Sequence, residues 1–185
     1  VAPLYEQNRT PVKLEQISQP MRESIVAIED SRFYRLNGVD LKGVARAFLS
    51  NLASASLDQG ASTLTMQLAR NRFLTHDKTF RRKLRETVLA RRIEALFSKN
   101  EILELYLNQV YFGDGAYGID AAAATFFSKN PSQLSYAESA LLAGLVQAPS
   151  HLSPFENPEA AKKRQEEVLQ RLADLGYLDT SGLQQ

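Results

Sequence analysis

Apolar residues recur every three to four positions along most of the chain, and this helical period constrains the fold more than any other feature. Two Ser-x-x-Glu boxes, at residues 98–101 and 135–138, precede apolar runs and predict where two helices begin. Pro20 suits the first turn of a helix. Strand signals are weak and limited to a short pair near residues 1–12. The sequence therefore predicts an all-α fold, which we expect to form two packed lobes around a cleft.

Eight helices are predicted, at about residues 20–35, 40–54, 62–73, 78–97, 98–111, 119–127, 135–146 and 158–175. Ser62 is the expected N-cap of the third helix. Gly113, Gly115 and Gly118 break the chain before the sixth helix, and Gly176 ends the last one.

Composition excludes several kinds of site. The chain has 185 residues, enough to bury a core, and no apolar run of the length that spans a bilayer. It has no cysteine and 2 histidines, which excludes disulfides and argues against a histidine-built metal site. A cation such as Mg²⁺, held by carboxylates and phosphates, remains an open cofactor. Net charge is +1, so anion binding would need local clusters of cations.

Glu29 is the first candidate for chemistry. It follows Ile25 by four residues and so lies at the edge of the apolar stripe of its helix. Partial desolvation there would raise its pKa toward the range of a general base. The alternative is a solvated acid paired with Arg32, and from residue types alone this is the commoner role.

Polar residues on the next segment share a helix face. Thr63, Gln67, Arg70 and Asn71 stand at positions i, i+4, i+7 and i+8. Hydroxyls, amides and one guanidinium suit a polyol or phosphate ligand, and a helix start behind a glycine-containing loop favours anions. A solvated polar face explains the pattern equally well.

Lysine and arginine crowd the helix predicted at residues 78–97. Arg82 and Glu86 are an i,i+4 pair, and the cations of this helix could clamp a pyrophosphate beside Glu86 as a second carboxylate. A solvated basic face is the commoner explanation. No aromatic residues are interleaved as a stacking platform, which argues against a nucleic-acid partner.

Two further segments are best explained by packing. Residues 101–108 have plain core spacing, although Glu104 and Asn108 share a face and could brace a cleft. Residues 142–149, which include Gln147, are rich in small residues that permit close helix packing.

Taken in order, these five segments resemble the five motifs of the family 51 glycosyltransferases. That family comprises the peptidoglycan polymerase domains of class A penicillin-binding proteins and their monofunctional relatives. The matching segments are Glu29–Gly38, Gly60–Gln67, Arg82–Glu86, Ile102–Asn108 and Ala143–Pro149. The resemblance implies one glycosyltransferase domain over residues 1–185, lysozyme-like in fold, with a larger head and a smaller membrane-facing jaw that includes about residues 40–57.

The resemblance also implies a reaction. The chain would polymerise lipid II into glycan, in bacterial cell wall synthesis at the extracytoplasmic face of the cytoplasmic membrane. Glu29 would take the proton of the acceptor 4-hydroxyl while undecaprenyl pyrophosphate leaves with inversion. Glu86 would orient the donor or position a divalent cation. Expected partners are lipid II, the growing glycan, the membrane surface and cell wall synthesis proteins; we expect a fragment of a longer, membrane-anchored protein, sensitive to moenomycin-type phosphoglycolipids.

The other site residues implied by the resemblance form groups by their expected role. The candidates for pyrophosphate binding are Arg70, Arg82 and Lys83. Asp30 is expected to support the residues around the base. The residues expected to bind the substrate are Phe33, Ser62, Thr63, Gln67 and Asn71, of which Thr63, Gln67 and Asn71 would line the sugar sites. The residues expected to give structural support are Glu104, Asn108 and Gln147.

Two positions depart from the family pattern. Leu36 stands where the first motif has His, and Met66 replaces the first of two glutamines in the second motif. Leu36 cannot make the polar contacts of an imidazole, so we expect altered, lower activity. Two alternatives stay open at this point: a lysozyme-like glycoside hydrolase, and a lipid II-binding module that has lost catalysis. The basic helix discriminates against the hydrolase, since a neutral glycan needs no pyrophosphate clamp.

Overall fold

The computed structural model describes residues 10–35, 62–73 and 80–179. In this part of the chain the helices are α1 Gln19–Glu29, α2 Leu64–Phe73, α3 Phe80–Leu96, α4 Lys99–Leu107, α5 Ile119–Phe127, α6 Tyr136–Leu145 and α7 Pro158–Asp174. The predicted all-α class is confirmed. The helix expected at residues 40–54, the membrane-facing segment 40–57 and Leu36 lie outside the described residues.

The chain divides into two compact units. Unit 1 consists of residues 1–28 and 107–185, and unit 2 consists of residues 29–106. Both divisions fall one residue before the end of a helix, at Glu29 of α1 and at Leu107 of α4.

Unit 1 is built around α6, which packs against α7. The predicted capping box at the start of α6 is confirmed, because the Ser135 hydroxyl accepts the Glu138 N–H and the Glu138 carboxylate accepts the Ser135 N–H. Small residues let the two helices approach closely. A Cβ on Gly144 would lie 2.9 Å from Cγ of Arg164.

A β-hairpin in unit 1 corrects two predictions. Helix α4 ends at Leu107, not near residue 111, and strand β1 (Tyr111–Gly113) then pairs antiparallel with β2 (Ala116–Tyr117). The turn has positive φ at Gly113, Asp114 and Gly115, which suits the glycines and aspartate there and cannot continue a helix. No strand occurs at residues 10–12, where the sequence suggested one; residues 1–9 lie outside the described part.

Glycine at position 118 follows from packing as well as from its φ of +83°. A Cβ there would lie 2.7 Å from the carbonyl oxygen of Asn108. The side-chain amide of Asn108 in turn pairs with the backbone of Val12, accepting its N–H and donating to its carbonyl, both at 2.9 Å. Glycine therefore permits the approach that joins the hairpin to the end of α4.

In unit 2, α2 packs against α3. Two predictions near the start of this unit need correction, namely the end of α1 and the N-cap of α2. Helix α1 ends at Glu29 rather than near residue 35, because the chain turns at Asp30, whose carbonyl accepts the Phe33 N–H at 2.9 Å. The Asp30 carboxylate accepts the Leu64 N–H at the start of α2. Thr63, not Ser62, is the N-cap of α2, since its hydroxyl accepts the Met66 N–H.

Candidate functional site

Glu29 is half-buried at the end of α1, and its carboxylate is held by α2. The amide nitrogen of Gln67 donates to Glu29 Oε2 at 2.8 Å. The hydroxyl of Tyr106 donates to the amide oxygen of Gln67 at 3.1 Å. A three-residue chain of hydrogen bonds thus joins α4, α2 and the candidate base, all within unit 2.

Burial raises the pKa of the Tyr106 phenol well above its ordinary value of 10.0, and the charge of Glu29 raises it further. The phenol is therefore neutral at physiological pH and keeps its proton to donate. The charge of Arg70 acts on the same phenol in the opposite direction, so Glu29 and Arg70 both lie near Tyr106.

The turn after Glu29 is fixed by packing around Phe33 and by the cation of Lys99. Phe33 is buried, and the ammonium of Lys99 lies 4.6 Å from the centre of its ring. Lys99 also pairs with Glu94 at 2.7 Å, and the buried hydroxyl of Thr65 donates to the same carboxylate. The burial of Phe33 leaves no ring surface for the expected substrate contact, so its role here is to pack the turn.

Asp30 stands at the start of that turn. Burial raises the pKa of its carboxyl above the ordinary value, although the hydrogen bond from Leu64 and the charge of Lys99 oppose the rise. Asp30 thus accepts a hydrogen bond at the start of α2, the helix that carries Gln67, and in this way it could support the base indirectly.

A second carboxylate lies among cations. Glu86 is 1% exposed; its Oε1 lies 3.0 Å from Nε of Arg82, and its Oε2 lies 3.5 Å from Nζ of Lys83. The Lys83 ammonium also donates to the Ser62 hydroxyl. These residues, together with Arg70, form what we call the cationic cluster.

Burial lowers the pKa of Lys83 below its ordinary value; Glu86 opposes this effect, and the positive charges of Arg70 and Arg82 add to it. Arg82 and Lys83 therefore share one buried carboxylate, and Arg70 lies near enough to act on Lys83. More positive than negative charge in one place favours an anionic ligand. The surroundings of Glu86 do not fit the divalent cation suggested for it, because both carboxylate oxygens already face positive charge. Nor do the described residues contain any group of three or more potential metal-binding side chains.

The other predicted residues fall in both units. Asn71 is exposed on α2, whereas Thr63 is buried at its start. Glu104 is half-buried in α4. Asn108 holds the backbone of Val12 within unit 1, and Gln147 is exposed after α6. The structure thus brings together Glu29 with Gln67, and Ser62 with Arg82, Lys83 and Glu86.

Within the described ranges, no helix combines the length and the apolar character needed to cross a bilayer.

Comparisons with known proteins agree on one family. The profile of the family described as Transglycosylase matches residues 1–173. A putative transglycosylase of Cupriavidus necator is 52% identical over 167 residues, which cover 90% of this chain and 72% of that protein. Penicillin-binding protein 1F of Bacillus subtilis is 45% identical over 178 residues, covering 96% of this chain and 25% of the relative.

This chain therefore spans about a quarter of the length of the Bacillus subtilis relative. Among solved structures, penicillin-binding protein 1A of Haemophilus influenzae aligns with a TM-score of 0.52 at 23% identity, covering 94% of this chain and 16% of that one. At this identity the likeness concerns the fold.

Proposed function

The chain belongs to the transglycosylase family, and from this premise we propose that it is a peptidoglycan glycosyltransferase that polymerises lipid II. The reaction serves bacterial cell wall synthesis at the outer face of the cytoplasmic membrane. The observation that carries the proposal is that unit 2 contains both a carboxylate held by a hydrogen bond and the cationic cluster.

Glu29 acts as the general base. It accepts the proton of the acceptor 4-hydroxyl as that oxygen bonds to the anomeric carbon of the donor chain. The bond from this carbon to the pyrophosphate oxygen breaks, and undecaprenyl pyrophosphate leaves with its bonding electrons. A base on one face and leaving-group stabilisation on the other are what an inverting displacement requires.

The cationic cluster acts on the leaving group. Arg70, Arg82 and Lys83 bind the pyrophosphate, and buried Glu86 fixes the two cations of α3 in place. Charge-assisted hydrogen bonds to phosphate are among the stronger polar contacts in proteins. A hydrolase of neutral glycan has no use for such a cluster, so the cluster supports the transferase over the lysozyme-like alternative.

One departure from the family pattern bears less on the site than the sequence suggests. Met66 is fully buried, so the residue that replaces the first glutamine of the second motif belongs to the core of α2. Gln67 keeps the second glutamine and reaches Glu29. This supports an active polymerase over a module that has lost catalysis.

Glu29→Gln tests the base. We expect glycan formation from purified lipid II to fall by about 10³-fold, because general-base catalysis contributes on that order. The control is Glu23→Gln on the same helix, where Glu23 binds Tyr136 in unit 1. Polymer formation that survives Glu29→Gln at the wild-type rate would remove Glu29 from this role, and wild-type protein that makes no polymer would contradict the function.

A further inference from the structure

We propose that Tyr106 is a positioning residue that sets the orientation of the Gln67 amide, so that its N–H end faces Glu29 and holds the carboxylate for proton transfer. This inference rests on the function proposed above. It assigns Gln67 to the base, whereas the family resemblance implies that Gln67 lines a sugar site.

The carboxylate of Glu29 and the amide of Gln67 differ in the hydrogen bonds that they can make. An ionised carboxylate only accepts hydrogen bonds, whereas a side-chain amide has one donating and one accepting end of nearly equal shape. A half-turn of the Gln67 amide would bring its oxygen against Glu29 Oε2 and repel the charge. Some other group must therefore favour the productive orientation, and Tyr106 occupies the accepting end at 3.1 Å.

Burial makes this preference strong. Gln67 is 8% exposed and Tyr106 is 1% exposed, so water has little access to compete for the amide. An unsatisfied buried carbonyl costs more than a typical hydrogen bond contributes. The neutral state of the phenol keeps its proton available for the amide oxygen across the whole physiological range.

The donated hydrogen bond acts on the base in two ways. It stabilises the ionised form of Glu29, which opposes the effect of partial burial and keeps the carboxylate able to accept a proton. It also restrains the position of the carboxylate, which favours proton transfer because that transfer needs hydrogen-bond geometry. Tyr106 contributes to both through Gln67, without touching the substrate.

The test compares Tyr106→Phe, Gln67→Leu and the double variant. Phenylalanine keeps the buried ring and removes only the hydroxyl. The matched control is Tyr136→Phe, which removes a hydroxyl that donates to Glu23 in unit 1. One readout is the pKa of Glu29, followed by carbon NMR of labelled glutamate carboxyls, with the resonance identified by its loss in Glu29→Gln.

We expect Gln67→Leu to raise the pKa of Glu29 by about 1, as loss of one hydrogen bond to a charge implies. Tyr106→Phe should raise it by roughly half as much and lower kcat about threefold to tenfold at neutral pH, with the acid limb of the pH–rate profile moved upward. In the Gln67→Leu background, Tyr106→Phe should add nothing, because it acts only through the amide. Tyr136→Phe should leave both readouts unchanged.

The outcomes are separable. If the wild-type chain makes polymer but Tyr106→Phe leaves the pKa of Glu29 and the acid limb unchanged, the inference is overturned and the function stands. Additive effects in the double variant would also overturn it. If the wild-type chain makes no polymer from lipid II, the function fails, and the NMR titration still decides whether Tyr106 controls the amide.

Discussion

Helices α2 and α6 have the same length, 10 residues, and both are buried over most of it, yet they are buried in different ways. The buried positions of α6 are mainly small or apolar, and they fit the surface of α7 by shape. Those of α2 include Thr65 and Gln67, whose side chains bind Glu94 and Glu29. Buried polar groups are costly unless they are paired, so α2 has far fewer acceptable arrangements than its apolar counterpart.

The two kinds of buried helix differ in what they can contribute to catalysis. Apolar contacts of a buried helix fix the distance to its neighbours but have no preferred direction. Hydrogen bonds from buried polar side chains also fix the orientation of the groups that they join. Proton transfer needs correctly oriented groups, and α2 carries Gln67, the residue that is hydrogen-bonded to the proposed base. Variants of α6 should therefore change stability more than rate, and variants of α2 should depend on hydrogen bonds that their partners provide.

The largest expected effect is on stability, in α6. Leu142→Ala should lower the free energy of unfolding by about 2–5 kcal/mol, because it leaves a cavity in a fully buried position. Urea denaturation measures this loss. The polymerisation rate per folded molecule should stay at the wild-type value. A large drop in that rate would contradict the expectation that α6 affects stability and not catalysis.

A matched pair of hydroxyl deletions should have opposite signs. Thr65→Val in α2 should lower the free energy of unfolding by about 1–2 kcal/mol, since Val keeps the shape but removes the donor to Glu94. Ser139→Ala in α6 should raise it by about 1 kcal/mol, because the buried Ser139 hydroxyl has no hydrogen-bond partner among the described residues.

Both variants are compared with wild type by the same denaturation curves. If both variants lost the same free energy of unfolding, the hydroxyls of the two helices would be equivalent, and the contrast between paired and unpaired buried polar groups would be wrong.

The smallest effect concerns pH at the two helix starts. Burial raises the pKa of Asp30, so its contribution to stability is present below its unfolded value of 3.8 and is lost as pH rises through the folded pKa. For Glu138, burial raises the pKa, but hydrogen bonds from Lys129 and Ser135 outweigh it and the net value is lowered. Its contribution is present above 4.5 and is lost as pH falls through the folded pKa.

The measurement is the free energy of unfolding of wild type minus that of Asp30→Asn, and of wild type minus that of Glu138→Gln, across acidic pH. As pH falls, the first difference should grow and the second should shrink. Slopes of the same sign would show that the two carboxylates cap their helices in the same environment.

These two helix starts also explain what the sequence could predict. The capping box of α6 lies within four residues, so residue types alone located it. The cap of α2 combines Thr63 with the Asp30 carboxylate, which comes from a distant turn. No local pattern contains that second contact, and the sequence placed the N-cap one residue too early. The hairpin was missed for a related reason, since three glycines indicate a break but not a pairing.

The candidate site divides in the same way. Glu29, Arg82, Lys83 and Glu86 were identifiable because their order along the chain resembles family motifs. Tyr106 was not, because at helical spacing it reads as core, and its hydroxyl gains meaning only when Gln67 lies beside it. Lys99 and Glu94 could not be found from local spacing either, because only the fold pairs them and brings Lys99 over Phe33.

Gly118 has a consequence for how such a chain can drift over evolutionary time. Any larger residue there would clash with the backbone of Asn108, whose side-chain amide is hydrogen-bonded to the backbone of Val12. A substitution at Gly118 would therefore disturb three features together: the turn, the end of α4 and the segment around residue 12. Gly115 has a similar φ of +77° but nothing within 4 Å of its Cβ position, so a larger residue there would meet the strain of the backbone conformation without any clash.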